Sequence, residues 1–135
     1  MIVSNTDDTI LGAIIHNEEK VHIALDANYP KIYGFVIDPS SQVFEIDFAR
    51  HGNDLKIYLI KVYGDKENEG LGTKALVYFE KWGFKNGYKT ISGELVDGKD
   101  SSSPEKLRHF YLKNQYTIGN TGNDYRYATI SKSLV

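Results

Sequence analysis

The chain has 135 residues, with 16 Lys and Arg against 18 Asp and Glu for a net charge of −2. That length suits one domain with one core, and a near-balanced charge without a basic block speaks against a general nucleic-acid binder. There is no cysteine, so disulfides, thiolate nucleophiles and zinc–cysteine sites are excluded and a reducing cytoplasm is the expected compartment.

The opening MIVSNTDDTILGAII lacks a positive n-region, carries two aspartates and has a short apolar run. It reads as neither a secretory signal nor a membrane span. The N-terminal half then reads as strands. TILGAIIHN and KVHIALD flank Asn17-Glu18-Glu19, a hairpin signal. KIYGFVID and QVFEIDF are separated by the turn residues Pro39-Ser40-Ser41. After ARHGND comes LKIYLIKVY, rich in β-branched and aromatic residues, which predicts a largely buried central strand.

From Thr73 to Asn86 the pattern changes to a helix, with Leu76, Phe79, Trp82 and Gly83 forming its buried stripe. Asn86-Gly87 supplies a left-handed stop. YKTISGELV returns to strand and DGKDSSS is a polar loop. Ser102-Ser103-Pro104-Glu105 opens a second helix with capping residues and an early proline. It runs to about Asn114, with Leu107, Phe110 and Tyr111 as its inner face. YRYATISKSLV closes the chain as a strand. Strand, helix, strand, helix, strand after a β-meander predicts an α/β mixed sheet.

Between the central strand and the first helix lies KVYGDKENEGLGTKA, a glycine loop leading into a helix start. Such a loop presents backbone N–H groups to a phosphate. A Walker loop needs Gly-Lys-Ser/Thr, and here Thr73-Lys74 follow Gly72 in the wrong order. A dinucleotide loop finds Ala75 at its third position but no carboxylate at the right remove. The alternative is that Glu67 and Glu69 only complement the dipole of a helix that binds nothing. That account leaves Gly70 and Gly72 unexplained, since each costs entropy.

The segment resembles the acetyl-CoA-binding motif of the GCN5-related N-acetyltransferase (GNAT) superfamily: a strand ending in valine, then Arg/Gln-x-x-Gly-x-Gly/Ala, then a helix. Val62, Gly70-Leu71-Gly72 and the helix from Thr73 fall at those places. HFYLKNQYTI is similar to the family's second-helix signature, Phe/Leu-Tyr-x-Lys-x-Gly-Phe. The likeness covers roughly Leu55 to the C-terminus. Three positions depart from the pattern. Glu67 stands at the Arg/Gln position, Gln115-Tyr116 replace Gly-Phe, and Pro104 stands where an asparagine often opens the tyrosine helix. The family's N-terminal helical pattern is missing too.

The resemblance implies a single domain over 1–135, with a mixed, mostly antiparallel central sheet flanked by helices, a β-rich N-terminal half and reduced N-terminal helices. It implies an N-acetyltransferase that moves an acetyl group from acetyl-CoA to a primary amine on a small molecule or protein. It needs no metal, and nucleic acid and membrane are not expected partners. A homodimer is permitted by edge strands at either terminus. The cofactor-binding set is Val62, Glu67, Asn68, Glu69, Gly70, Leu71, Gly72, Thr73 and Lys113, with Lys66 and Lys74 offsetting the acids. Tyr111 matches the catalytic tyrosine as general acid, and the alternative for it is a core tyrosine. Glu94 is the first candidate for general base, ahead of Glu45 and Asp47. The alternative function is a non-catalytic acyl-CoA-binding or regulatory module, for which Glu67 speaks. His16, His22, His51 and His109 show no metal-ligand spacing and read as surface residues, with His16 and His22 facing each other across the hairpin.

Overall fold

The two residues Asn17 and Glu18 set the first structural decision. Both adopt left-handed backbone, with φ of 51° and 66°, the pair of positive angles that a two-residue hairpin turn requires. They join strand β1 (Thr9–His16) directly to β2 (Glu19–Leu25). The computed structural model describes residues 7–37, 40–64, 70–96, 104–120 and 127–135. Among them, no α-helix precedes Leu71. Strands β3 (Lys31–Val36), β4 (Ser41–His51) and β5 (Asp54–Val62) continue the meander. Helix α1 (Leu71–Lys85), strand β6 (Thr90–Val96), helix α2 (Pro104–Lys113) and strands β7 (Thr117–Asn120) and β8 (Tyr127–Ser133) follow.

The strand order is β1-β2-β3-β4-β5-β6-β8-β7. The mixed, mostly antiparallel sheet with its helices and β-rich first half is the architecture expected from the sequence. The strands β5 and β6 run parallel, with Asp54 opposite Thr90 and Ile57 opposite Gly93.

The chain forms two compact units, Met1–Phe48 with Leu59–Phe79, and Ala49–Tyr58 with Glu80–Val135. In the first, Ile23, Ile32, Phe44 and Ile46 are fully buried, and the Phe48 ring meets the Phe79 ring of α1 at 5.2 Å. Gly34 lies under the Phe44 ring, and a Cβ there would sit 2.1 Å from a ring carbon. No larger residue fits without moving Phe44. The opposite face of the same strands buries Ala24, Tyr33 and Phe35.

In the second unit, Gly83 brings α1 down onto Leu55, where a Cβ would come within 2.8 Å of Leu55 Cδ1. Ile91, Leu95, Ala128 and Ile130 are buried beside it. Asp54 pins the parallel pair, accepting from Thr90 Oγ1 at 2.7 Å and from Ser92 Oγ at 2.6 Å.

Several expectations shift. The helix α1 begins two residues earlier than Thr73, and Trp82 is only half-buried, stacked on Tyr88 at 6.2 Å. ARHGND is mostly strand: β4 runs on to His51 and β5 starts at Asp54, leaving Gly52-Asn53 as the turn. The strand β5 is central in order, but its fully buried positions are Leu55 and Ile57, with Tyr58 exposed. The C-terminal segment holds two strands, because Thr117–Asn120 returns antiparallel on β8. The Pro39 turn, the 97–103 loop and its serine cap lie outside the described residues. His16 is buried at 2 % exposure rather than on the surface. His16 pairs with Glu19 and His22 with Ala13, an offset that points the two imidazoles to opposite faces.

Both helices close alike. In α1, Gly87 N–H donates to Phe84 O at 3.1 Å and Tyr88 N–H to Gly83 O at 3.0 Å, with Gly87 at φ 89°. In α2, Gln115 N–H donates to Leu112 O at 3.0 Å and Tyr116 N–H to Tyr111 O at 2.9 Å. This is the paired closure that favours glycine at its left-handed residue, yet α2 places Gln115 there at φ 70°. Gln115→Gly is therefore expected to stabilise the protein by about 1 kcal/mol, read as a rise in Tm of about 3–5 °C.

Candidate functional site

The first unit contains the end of β5 and the start of α1. Val62 is the last residue of β5. Next to it, Tyr63 N–H donates to Val43 O of β4 at 2.9 Å, which fixes the exit of β5 against β4. Gly70 stands at φ 83° with nothing within 4 Å of where a Cβ would be, a conformation that L side chains rarely adopt. The first bond of the helix runs from Lys74 N–H to Gly70 O at 3.2 Å. The amides of Leu71, Gly72 and Thr73 lie ahead of it, at the positive end of the helix dipole. This is the geometry that receives a phosphate. Leu71 and Ala75 are buried, and Lys74 Nζ donates to Ile15 O at 3.0 Å, so the helix start is anchored from both sides. Lys74, expected to offset acids, is engaged with the β1 backbone. Glu67, Asn68 and Glu69 lie outside the described residues.

The same unit carries a carboxylate–tyrosine cluster. Glu45 and Asp47 are two apart on β4 and share a face. Tyr33 stands opposite Glu45 and Lys31 opposite Asp47 in the β3–β4 register. The Tyr63 hydroxyl donates to Glu45 Oε1, and the Tyr33 hydroxyl to Asp8 Oδ2. Burial, followed by the hydrogen bond and charge of Glu45, pushes the Asp47 carboxyl up to about 6, with Lys31 pulling weakly the other way. Burial and the same glutamate push the Tyr63 hydroxyl up to about 12. Asp47 thus takes up a proton where a free carboxylate would not.

The second unit contains Tyr111, Glu94 and Lys113. Tyr111 is 2 % exposed on α2 and meets the Phe110 and Tyr116 rings edge-on, each at 5.2 Å. Leu107 and Phe110, expected beside it on the inner face, are half-buried. Glu94 points away from Leu95 and Gly93 on β6 and is exposed, with Lys56 Nζ 3.6 Å from its carboxylate. Lys113 is exposed in the last turn of α2.

The sequence named Glu45 and Asp47 but not their tyrosines. Tyr63, just past the end of β5, reaches Glu45, and Tyr33 of β3 stands opposite Glu45 with its hydroxyl on Asp8; only the tertiary fold makes these pairings. A network of Glu80, Tyr116 and Lys132 in the second unit was missed for the same reason. Among the described residues no group of three His, Asp or Glu side chains is placed to hold a metal ion. No helix among them is long and apolar enough to cross a membrane.

No family model matches the chain, and no curated protein matches it either. Solved structures do. An acetyltransferase of the GNAT family from Listeria monocytogenes superposes with a TM-score of 0.67 at 8% identity, covering 90% of this chain and 99% of that one. Ard1 from Thermoplasma volcanium gives a TM-score of 0.61 at 15% identity over 78% of this chain and 71% of its own. The PaiA N-acetyltransferase from Thermoplasma acidophilum, solved in complex with coenzyme A, gives 0.61 at 18% identity over 76% of this chain. The match spans 59% of that neighbour's length. At such identities the likeness is one of fold.

The raised Asp47 pKa has a consequence for stability. A carboxyl that binds its proton more tightly folded than unfolded stabilises the protein while protonated, and that contribution is lost as pH rises from about 4 through about 6. Asp47→Asn is therefore expected to match the wild type near pH 4 and to exceed it by about 1 kcal/mol at pH 8, solvent on the open side screening the rest. Thermal unfolding of both proteins across that range reads the difference.

Proposed function

We propose that this chain, which has the fold of the GNAT N-acetyltransferases, transfers an acetyl group from acetyl-CoA to a primary amine. One observation carries the reading. The strand β5 ends at Val62, and α1 then opens at Gly70 with three amides ahead of its first internal bond. A diphosphate needs such a helix start, and a thioester carbonyl needs a strand-end N–H.

In this reading the amides of Leu71, Gly72 and Thr73 bind the diphosphate of the cosubstrate. Gly70 gives the backbone its turn, and the resemblance adds Glu67, Asn68 and Glu69 to the cofactor-binding set. The Val62 N–H donates to the thioester oxygen, where negative charge develops during attack. Lys113 contacts the cosubstrate from the end of α2. The amine must lose a proton to attack. Asp47, held near 6 by burial and Glu45, is better matched to that task than Glu94, which is exposed and paired with Lys56. The C–N bond forms, the C–S bond breaks, and the departing thiolate takes its proton from the Tyr111 hydroxyl.

A second reading is a non-catalytic acyl-CoA-binding or regulatory module. Glu67 favours it, since it puts an acid where the family pattern has a polar or basic residue. One experiment separates the two. Acetyl-CoA is titrated against wild type and Tyr111→Phe by thermal shift, and thiol release is followed with a panel of primary amines. Binding raises Tm in both proteins. The enzyme reading expects Tyr111→Phe to lower kcat by about 100-fold with affinity nearly unchanged. Binding without turnover in the wild type supports the module, and no rise in Tm at millimolar acetyl-CoA removes both readings.

A further inference from the structure

We propose that Glu80, Tyr116 and Lys132 are positioning residues that hold the ring and hydroxyl of Tyr111 in register; the proposal rests on Tyr111 as the proton donor. All of them lie in the second unit. Glu80, on α1, has a side chain only 12% exposed, and both its oxygens are taken. Oε2 accepts from the Tyr116 hydroxyl at 2.8 Å and Oε1 from Lys132 Nζ at 3.0 Å. Lys132, on β8, also donates to Asn114 O at 3.0 Å and lies 5.4 Å from the centre of the Tyr116 ring. Asn114 Nδ2 returns to Phe110 O at 2.9 Å. Three elements, α1, β8 and the end of α2, are thereby tied through one carboxylate.

The tie reaches Tyr111 by two routes. Tyr116 N–H donates to Tyr111 O at 2.9 Å, fixing the backbone. The Tyr116 ring, 3% exposed, stands edge-on to the Tyr111 ring at 5.2 Å and 66°, fixing the side chain. A phenylalanine at position 116 would fill the same space, but packing alone would then hold its ring, without the bond to Glu80. The hydroxyl is what locks the ring to Glu80. Burial, together with the charge and hydrogen bond of Glu80, drives the Tyr116 hydroxyl far above its ordinary value, so it stays a donor to Glu80 and is no proton source itself.

A part-buried ion pair such as Glu80–Lys132 is by itself weak evidence for stability, since apolar residues of equal volume often serve as well. Its distinctive contribution is direction. Lys132 Nζ lies 3.0 Å from Glu80 Oε1 and the Tyr116 hydroxyl 2.8 Å from Oε2, and hydrogen bonds in which a partner is charged are shorter and more directional than neutral ones. An acid that must deliver its proton to a departing sulfur needs such a fixed orientation, because small misplacements cost much of the rate.

The test uses Tyr116→Phe and Glu80→Gln in the full chain, each also combined with Tyr111→Phe. Ring-labelled tyrosine reports the flip rate of Tyr111 by NMR, its signals assigned by their loss in Tyr111→Phe. Acetyl transfer is measured with acetyl-CoA and spermidine, phenethylamine or a lysine peptide. The expected result is a Tyr111 ring that flips at least about tenfold faster in either single variant. With it kcat falls by about tenfold, KM for acetyl-CoA hardly moves, and no further fall occurs on the Tyr111→Phe background. An unchanged flip rate overturns the proposal. So does a freed ring with full kcat, or an equal loss of rate when Tyr111 is already phenylalanine, which marks a merely structural tie. Glu80→Gln keeps size and an acceptor, so it carries the test if Tyr116→Phe folds poorly. Full turnover in Tyr111→Phe alone refutes the proton-donor reading and this proposal with it, an outcome distinct from the others because there the Tyr111 variant itself stays active. The ring measurement needs neither acceptor nor acetyl-CoA, so it decides whether Glu80 and Tyr116 hold the Tyr111 ring even where no amine is turned over.

Discussion

The parallel pairing of β5 with β6 is the constraint on which the rest of the structure depends. Every pairing detailed above for the other strands is antiparallel and can be closed by a short turn. Two parallel neighbours cannot, so the chain must leave β5 at one end and re-enter β6 at the other, and a helix is the efficient connection. The helix α1 is that connection. Asp54 holds the two strands in register with both of its carboxylate oxygens. Gly87 then lets α1 stop and turn back into β6. The exit of β5 and the opening of α1 follow from this one crossover, and they hold every main-chain group that the acetyl-transfer reading uses in the first unit.

The two units treat half-buried carboxylates in contrasting ways. On β4, burial first, and then the hydrogen bond and charge of Glu45 on the same face, make Asp47 hold its proton to higher pH. Lys31, across the strand pair, offsets that only in part. On α1, Glu80 has an opposite charge at 3.0 Å and a tyrosine donor at 2.8 Å, so the carboxylate is matched. The first arrangement costs stability and leaves a carboxyl raised to about 6. The second satisfies every oxygen and ties three elements together, which is the signature of a scaffold. The tyrosines in both are half apolar body and half hydrogen-bonding tip, and in each cluster a tyrosine hydroxyl donates to a carboxylate.

The elements were mostly legible because their signals are local. The Asn17-Glu18 turn, the stripe through Leu76 and Phe79, and the Gly87 stop depend on neighbours in the chain. The resemblance at the glycine loop and the tyrosine helix was likewise local, and the fold agrees with it. Legibility failed where burial depends on what lies across the sheet. Glu94 reads as one strand carboxylate among several until β6 places it on the exposed side beside Lys56. His16 reads as a surface imidazole until the hairpin offset turns it inward. The strand β7 is four residues long, too short for an alternating pattern to register on its own, and it exists because β8 offers an edge to pair with.

The sequence by itself determined the kinds of element, their order and the position of the glycine loop, since backbone preference and hydrophobic period act over a few residues. It also named Tyr111 and Glu94, with Glu45 and Asp47 behind them, as candidates for the chemistry. Only the tertiary structure decided which tyrosine donates to which carboxylate, that Asp47 titrates high while Glu80 is matched, and that Tyr111 is enclosed by Phe110 and Tyr116. Those outcomes depend on strand register and on side chains far apart in the chain, where proximity sets the local dielectric and the hydrogen bonds, and no run of neighbouring residues encodes them.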